Sequence, residues 1–166
     1  MTCKFLNLEA ILAIDTNNGL AKNGNIPWKS KTDLTFFKDK TMGHIVIMGS
    51  KTLLSLPKSQ PLKGRTNIIV TNEKNKYSKL YSNFTSCVYF LNLEETIKLI
   101  DKNKEFKFFV IGGNQIYDIF LPYCSSIWIT KIKYNYNCDL SFNHDISTYN
   151  KETVYEDSEL EIMYLH

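Results

Sequence analysis

Four features of this 166-residue chain have residue types and spacing able to do chemistry. The first is Asp33, which follows Pro27-Trp28 and sits beside Leu34, Phe36 and Phe37. It has two readings. As the third helical residue after Ser30 it can be a capping carboxylate favoured by the helix dipole. Set among apolar side chains, its charged form is disfavoured, which raises its pKa and suits a proton donor near neutral pH. Trp28 is equally open, either a core residue or an indole that orders a water. The second feature is Gly49-Ser50-Lys51-Thr52, which follows an apolar run. Free N–H groups, a hydroxyl and a lysine at a helix start can hold a phosphate, although GxxxxGK[ST] is absent and this is no P-loop. The third is Gly112-Gly113-Asn114-Gln115, where two glycines let the backbone approach a ligand closely. Without GxGxxG, a Rossmann reading fails. The fourth is Arg65: of 20 Lys and Arg residues, 19 are lysine. Only guanidinium offers a planar fork for a carboxylate or phosphate, so a lone arginine in a lysine-rich chain points to such a contact.

The rest of the composition narrows the classes. At 43% hydrophobic and 22% charged residues the chain is ordinary globular material, and its length suits one domain over 1–166. The net charge of +3 is spread along the chain, which argues against nucleic acid as a partner. Cys3, Cys87, Cys124 and Cys138 form no CxxC and no pairing with histidine, so neither a zinc site nor a redox motif is expected. No apolar segment reads as a signal peptide or a membrane span, and a cytoplasmic protein is expected.

These residues need elements to position them. Leu6, Leu8, Ala10, Leu12 and Ile14 alternate as a first strand ending at Asp15, followed by an Asn/Gly-rich loop to Pro27. A helix is predicted over about 31–41, opened by a capping box from Ser30 to Asp33. Buried strands are expected over 44–48, 67–70, 87–90, 107–111 and 126–133. Helices are expected from Gly49 to a stop at Pro57, from Asn92 with a second capping box to Glu95, and over 114–121. The tail from Thr153 to Leu165 adds one or two strands. The fold class is therefore α/β: a mainly parallel sheet of about eight strands, an antiparallel C-terminal strand or hairpin, and about four flanking helices.

The chain resembles the dihydrofolate reductase family nearly end to end. The blocks that carry this are Ala13-Ile14 with NGLAKNGNIPW (18–28), TDLTFFK (32–38), IVIMGSKT (45–52), PLKGRTNIIVT (61–71), VIGGNQIYDIFLP (110–122), ITKI (129–132) and CDLSF (138–142). The resemblance implies hydride transfer from NADPH to C6 of dihydrofolate, the cofactor carrying the redox chemistry. Asp33 would bind the pterin N3 and 2-amino group and promote protonation at N5, with Thr130 bonded to its carboxylate and Trp28 holding a water. The carbonyls of Ile11 and Ile111 would meet the amino edge. Ala13, Leu20 and a cis-linked Gly112-Gly113 would line the nicotinamide, with Tyr117 near it. Leu34, Phe37, Leu56 and Leu62 would enclose the p-aminobenzoyl ring, and Arg65 would fork onto the glutamate carboxylate. Gly49, Ser50, Lys51 and Thr52 would meet the cofactor on one side. Thr71, Asn72, Asn114, Gln115 and Ile116 would meet it on the other. Loop 17–26 would be a mobile lid supported by Asp139.

Several positions depart from the family's usual choices. Ser50, Asn72 and Gln115 stand where cationic residues often meet the adenosine phosphates, with Lys51 and Lys74 as possible substitutes. NADPH is thus expected to be preferred over NADH, but less strongly than in relatives with those arginines. Ile26 and Leu53 are apolar exchanges expected to be tolerated. The segment after Phe142 is short, so a trimmed C-terminal hairpin is expected. The alternatives are a riboflavin-pathway reductase of the same fold, a catalytically idle homologue, and a piece of a bifunctional chain with thymidylate synthase. The absence of a linker after His166 favours a stand-alone enzyme, and the resemblance implies a monomer.

Overall fold

The computed structural model describes residues 3–166. In chain order the strands are β1 (Phe5–Ile14), β2 (Gly19–Ala21), β3 (Ile45–Gly49), β4 (Thr66–Val70), β5 (Val88–Leu91), β6 (Phe108–Gly112), β7 (Cys124–Ile132), β8 (Leu140–Ser141), β9 (Lys151–Glu156) and β10 (Leu160–Leu165). The helices are α1 (Lys31–Thr41), α2 (Ser50–Ser55), α3 (Lys74–Leu80), α4 (Leu93–Lys102) and α5 (Asn114–Phe120). Eight strands form one sheet in the order β5-β4-β3-β6-β1-β7-β10-β9, and β2 pairs with β8 apart from it. All neighbours from β5 to β7 are parallel, while β10 runs antiparallel to both β7 and β9.

Alternation along β1 sends its side chains to two faces. Leu8, Ala10, Leu12 and Ile14 join Phe108, Val110, Phe120 and Ile129 in one core. Ile11 packs on the opposite face with Val46, Met48, Leu53, Ile69 and Phe109. The expected alternation fails at Leu6, which is 88% exposed: the register shifts between Phe5 and Glu9, and that irregularity turns Leu6 out of the stripe. The second capping box forms as read, with Asn92 and Glu95 each accepting from the other's backbone N–H. The first is only half made. Ser30 Oγ accepts from Asp33 N at 3.1 Å, but the Asp33 carboxyl turns inward and gives nothing back to the cap.

Three further differences from the sequence reading stand out. The described residues form five α-helices, because α3 follows β4 where none was expected. The Asn/Gly-rich loop contains the short strand β2. The C-terminal hairpin is complete, β9 and β10 having six residues each, and a backbone pair between Asn150 and His166 closes its far end.

Candidate active site

The carboxyl ends of β3, β4 and β6 carry Gly49 to Thr52, Thr71, Asn72 and Gly112 to Ile116, the usual place for a ligand crevice in an open α/β sheet, whereas Leu62 and Arg65 precede β4 at its amino end. Ala13 on β1 lies opposite Thr130 on β7, and Ile11 opposite Trp128. Asp33, one turn into α1, faces this seam. Its carboxyl is shifted above the ordinary value chiefly by burial, opposed by hydrogen bonds from the Thr130 hydroxyl and the Trp28 indole. Thr130 and Trp28 are themselves buried. Asp33 therefore has the environment of a proton-handling group rather than that of a surface cap.

On the other side of β1, Tyr117 from α5 donates its hydroxyl to the Ile11 carbonyl at 2.9 Å. Burial pushes the Tyr117 phenol well above its usual range, so it remains a neutral donor. A carbonyl oxygen has two lone pairs, so this bond alone does not saturate Ile11. Ile111 and Gly112 end β6, and the Gly112–Gly113 peptide is cis, as the resemblance implied. Gly112 has φ +127°, a conformation that side chains rarely adopt.

Two helices start at this crevice with glycine caps, Gly49 for α2 and Gly113 for α5, and neither cap carries a side-chain hydrogen bond. A Cβ on Gly49 would lie 3.2 Å from Ile116 Cγ1, and one on Gly113 would lie 3.4 Å from Thr52 Oγ1. The glycines, Thr52 and Ile116 thus form one close-set cradle of uncapped N–H groups. Beside it the Asn114 Oδ1 is buried without a partner. A cradle of this kind fits the phosphates of a dinucleotide. Its outer edge is poor in cations. Lys51 is exposed, but Lys74 is bound to Glu95 and is not a free substitute for the missing arginines. Ser50 and Gln115 follow the two caps, whereas Thr71 and Asn72 follow β4, where Thr71 Oγ1 accepts from Glu73 N at 3.0 Å.

Phe37, Leu56, Leu62 and Ile111 pack against the Ile11 core, forming an apolar wall that continues from Asp33. Leu34 is not buried with them: it is 65% exposed and borders an open groove with Lys31, Thr35 and Lys38. At the end of the wall stands Arg65, whose Nε donates to the Lys63 carbonyl at 3.0 Å and Nη1 to Thr41 Oγ1 at 3.1 Å. Thr41 in turn donates to the Phe37 carbonyl at 2.8 Å, which ties the guanidinium to the last turn of α1.

Sequence reasoning missed the group that shapes this corner. Asn67, fully buried in β4, accepts from Leu62 N at 2.9 Å and donates to the carbonyls of Leu62 and Arg65 at 3.0 and 3.1 Å. An amide can accept and donate at once, so one side chain sets the loop that carries both Leu62 and Arg65. The available signal was a polar residue opening an otherwise apolar buried strand. Leu20, on β2, lies in the loop expected to be a lid, and β8 holds that loop from the other side. Asp139 accepts from Asn23 N at 2.9 Å.

Comparison with known proteins agrees with this geometry. A dihydrofolate reductase family model matches residues 7–162. The chain is 36% identical to a dihydrofolate reductase of Staphylococcus haemolyticus over 138 residues, 83% of this chain and 77% of that one. It is 34% identical to one from Ureaplasma parvum over 151 residues, 90% of this chain and 91% of that one. Among solved structures it is similar to a dihydrofolate reductase from Enterococcus faecalis complexed with NADP(H) and RAB-propyl. There the TM-score is 0.78 at 23% identity, covering 100% of this chain and 98% of that one. The extent of these matches places this chain in the dihydrofolate reductase family.

Proposed function

We propose that this chain, as one catalytic domain, reduces 7,8-dihydrofolate to 5,6,7,8-tetrahydrofolate at the expense of NADPH. The observation that carries the reading is Asp33: a partly enclosed carboxyl, raised by burial, between Thr130, Trp28 and the end of β1. When bound, NADPH supplies the hydride that reduces C6 of the pterin. Asp33 holds the pterin N3 and 2-amino edge and promotes delivery of the proton that N5 needs. The Thr130 hydroxyl and Trp28 indole keep its carboxyl in one orientation. The Ile11 and Ile111 carbonyls face the amino edge, and Tyr117 fixes Ile11 for that contact.

Ala13, Leu20, Gly112 and Gly113 form the nicotinamide wall. The Gly49 to Thr52 start of α2 and the Asn114 to Ile116 start of α5 hold the phosphates, with Thr71 and Asn72 toward the adenosine. Leu34, Phe37, Leu56 and Leu62 enclose the aryl ring. Leu34, exposed here, would be covered by the substrate itself. Arg65 then faces the glutamate tail as a fork already aimed by Thr41 and Lys63. Loop 17–26 excludes water from the site when it closes. The protein acts as a cytoplasmic monomer with dihydrofolate, and no nucleic acid, as its partner. Its scattered charge supports that last point, and among the described residues no helix is long and apolar enough to cross a membrane.

The test is NADPH oxidation at pH 7 with dihydrofolate, followed for wild type and Asp33→Asn. Wild type should turn over, and Asp33→Asn should lose a factor of roughly 100 or more, with partial recovery at lower pH as solvent supplies the proton. No turnover by wild type would end this reading.

A further inference from the structure

Asp15 is a fully buried carboxylate that the mechanism does not use. Its two oxygens face two different chain segments. Oδ1 accepts from Asn17 N at 2.8 Å and Gly19 N at 2.7 Å, which folds the start of the lid into a tight turn. Backbone bonds from Asp15 N to Gly19 O and from Asn18 N to Asp15 O complete that turn. Oδ2 accepts from Tyr136 N at 3.0 Å and lies 3.6 Å from Cys138 Sγ, both on the connection from β7 to β8. The fit there is close. A Cβ on Gly19 would lie 2.5 Å from Cys138 Cβ and 2.9 Å from Asp15 Oδ1. The same two segments meet again farther out, where Phe142 N donates to the Asn18 carbonyl and β2 pairs with β8.

We propose that Asp15 is a positioning residue that fastens the hinge of the 17–26 lid to the 134–138 segment, and so sets where Leu20 meets the cofactor. The inference rests on the reading of loop 17–26 as a lid over the nicotinamide. A carboxylate is suited to the task because it only accepts, and four donors converge on it from two directions. Asparagine is almost the same size and cannot replace it. Its one acceptor oxygen can serve the hinge or Tyr136, while its NH2 group meets N–H donors on the other side. Asp15→Asn therefore parts the two segments and leaves the eight-stranded sheet intact. The arrangement also explains a glycine at 19, since any side chain would separate the hinge from Cys138.

The experiment pairs hydrogen exchange with kinetics on the full chain. In Asp15→Asn, amides of 15–25 and of 132–142 should both exchange roughly tenfold faster than in wild type, the scale of a lost hydrogen bond to a charged group. Amides of β4 should not change. The KM for NADPH should rise about tenfold, while the KM for dihydrofolate moves less than twofold. Gly19→Ala, which keeps the carboxylate but blocks its seat, should give the same pattern and serves if Asp15→Asn does not fold. Unchanged exchange in either segment, or equal rises in the two KM values, would overturn the proposal. If wild type shows no turnover, the lid reading falls by itself, and the exchange data still decide whether Asp15 joins the segments.

Discussion

Asp33 combines two demands that pull against each other. Its carboxyl is raised by burial, so the folded chain binds its proton more tightly than the unfolded chain does. Linkage then gives a sign: the ionised group costs stability, the cost being absent below the unfolded pKa and complete above the folded one. Asp33→Asn, which damages the chemistry, should therefore stabilise the fold at pH 8, with the gain lost as the pH falls to the ordinary carboxyl value of 3.8. About 1 kcal/mol corresponds to a rise of roughly 2–4 °C in Tm for a chain of this size. Calorimetry at the two pH values checks it, and an equal gain at both would contradict the assignment. Asn67 makes the opposite case, a residue whose loss should harm both stability and binding. Removing its amide leaves Leu62 and Arg65 without the partners that set their loop. Asn67→Ala should cost about 1–3 kcal/mol. It should also raise the KM for dihydrofolate several-fold while leaving that for NADPH alone. A denaturant titration with the two KM values separates these effects, and an unchanged KM for dihydrofolate would exclude the positioning role.

The elements show which parts of this arrangement are local enough to be legible. α1 could be placed at 31–41 because Ser30 caps it and apolar residues repeat on its inner side, and it spans Lys31–Thr41. The glycine turns after β3 and β6 were equally plain, since an apolar run followed by glycine marks where backbone must come close to something. α3 was not legible: its cap, Glu73, makes no side-chain capping bond, and only Tyr77 on it is buried. β2 and β8 were hidden because strands of three and two residues exist only through each other. At the site, Asp33 and Arg65 could be picked from their neighbours and rarity. Asp15 could not, because Tyr136 and Cys138 approach it from over a hundred residues away. The cradle offers a test at this scale. Gly49→Ala would place a methyl 3.2 Å from Ile116, forcing the starts of α2 and α5 apart by a few tenths of an ångström. The KM for NADPH should rise about five- to tenfold, with that for dihydrofolate unmoved. A uniform loss of both would mean a general packing defect.

Across the whole molecule, the lysine-rich composition has a consequence for the choice of cofactor. The net charge is +3, yet the adenosine side of the cradle gathers little of it. Ser50, Asn72 and Gln115 are neutral, Lys74 is held by Glu95, and Lys76 lies by Glu73. Under the proposed function, the 2′-phosphate that distinguishes NADPH from NADH would meet mainly hydrogen-bond donors and the exposed Lys51. Binding to the folded chain alone raises its stability by mass action, so cofactor preference can be read without catalysis. At about 100 times its Kd, NADPH should raise Tm by roughly 5–10 °C. At the same concentration NADH should give a rise smaller by about 3–5 °C, which corresponds to a preference near tenfold. Ser50→Arg, restoring a cation at the start of α2, should enlarge the NADPH rise and leave the NADH rise unchanged. Equal shifts for the two cofactors in wild type would show that neutral donors give no discrimination at all. A gap that fails to widen in Ser50→Arg would place the 2′-phosphate away from α2.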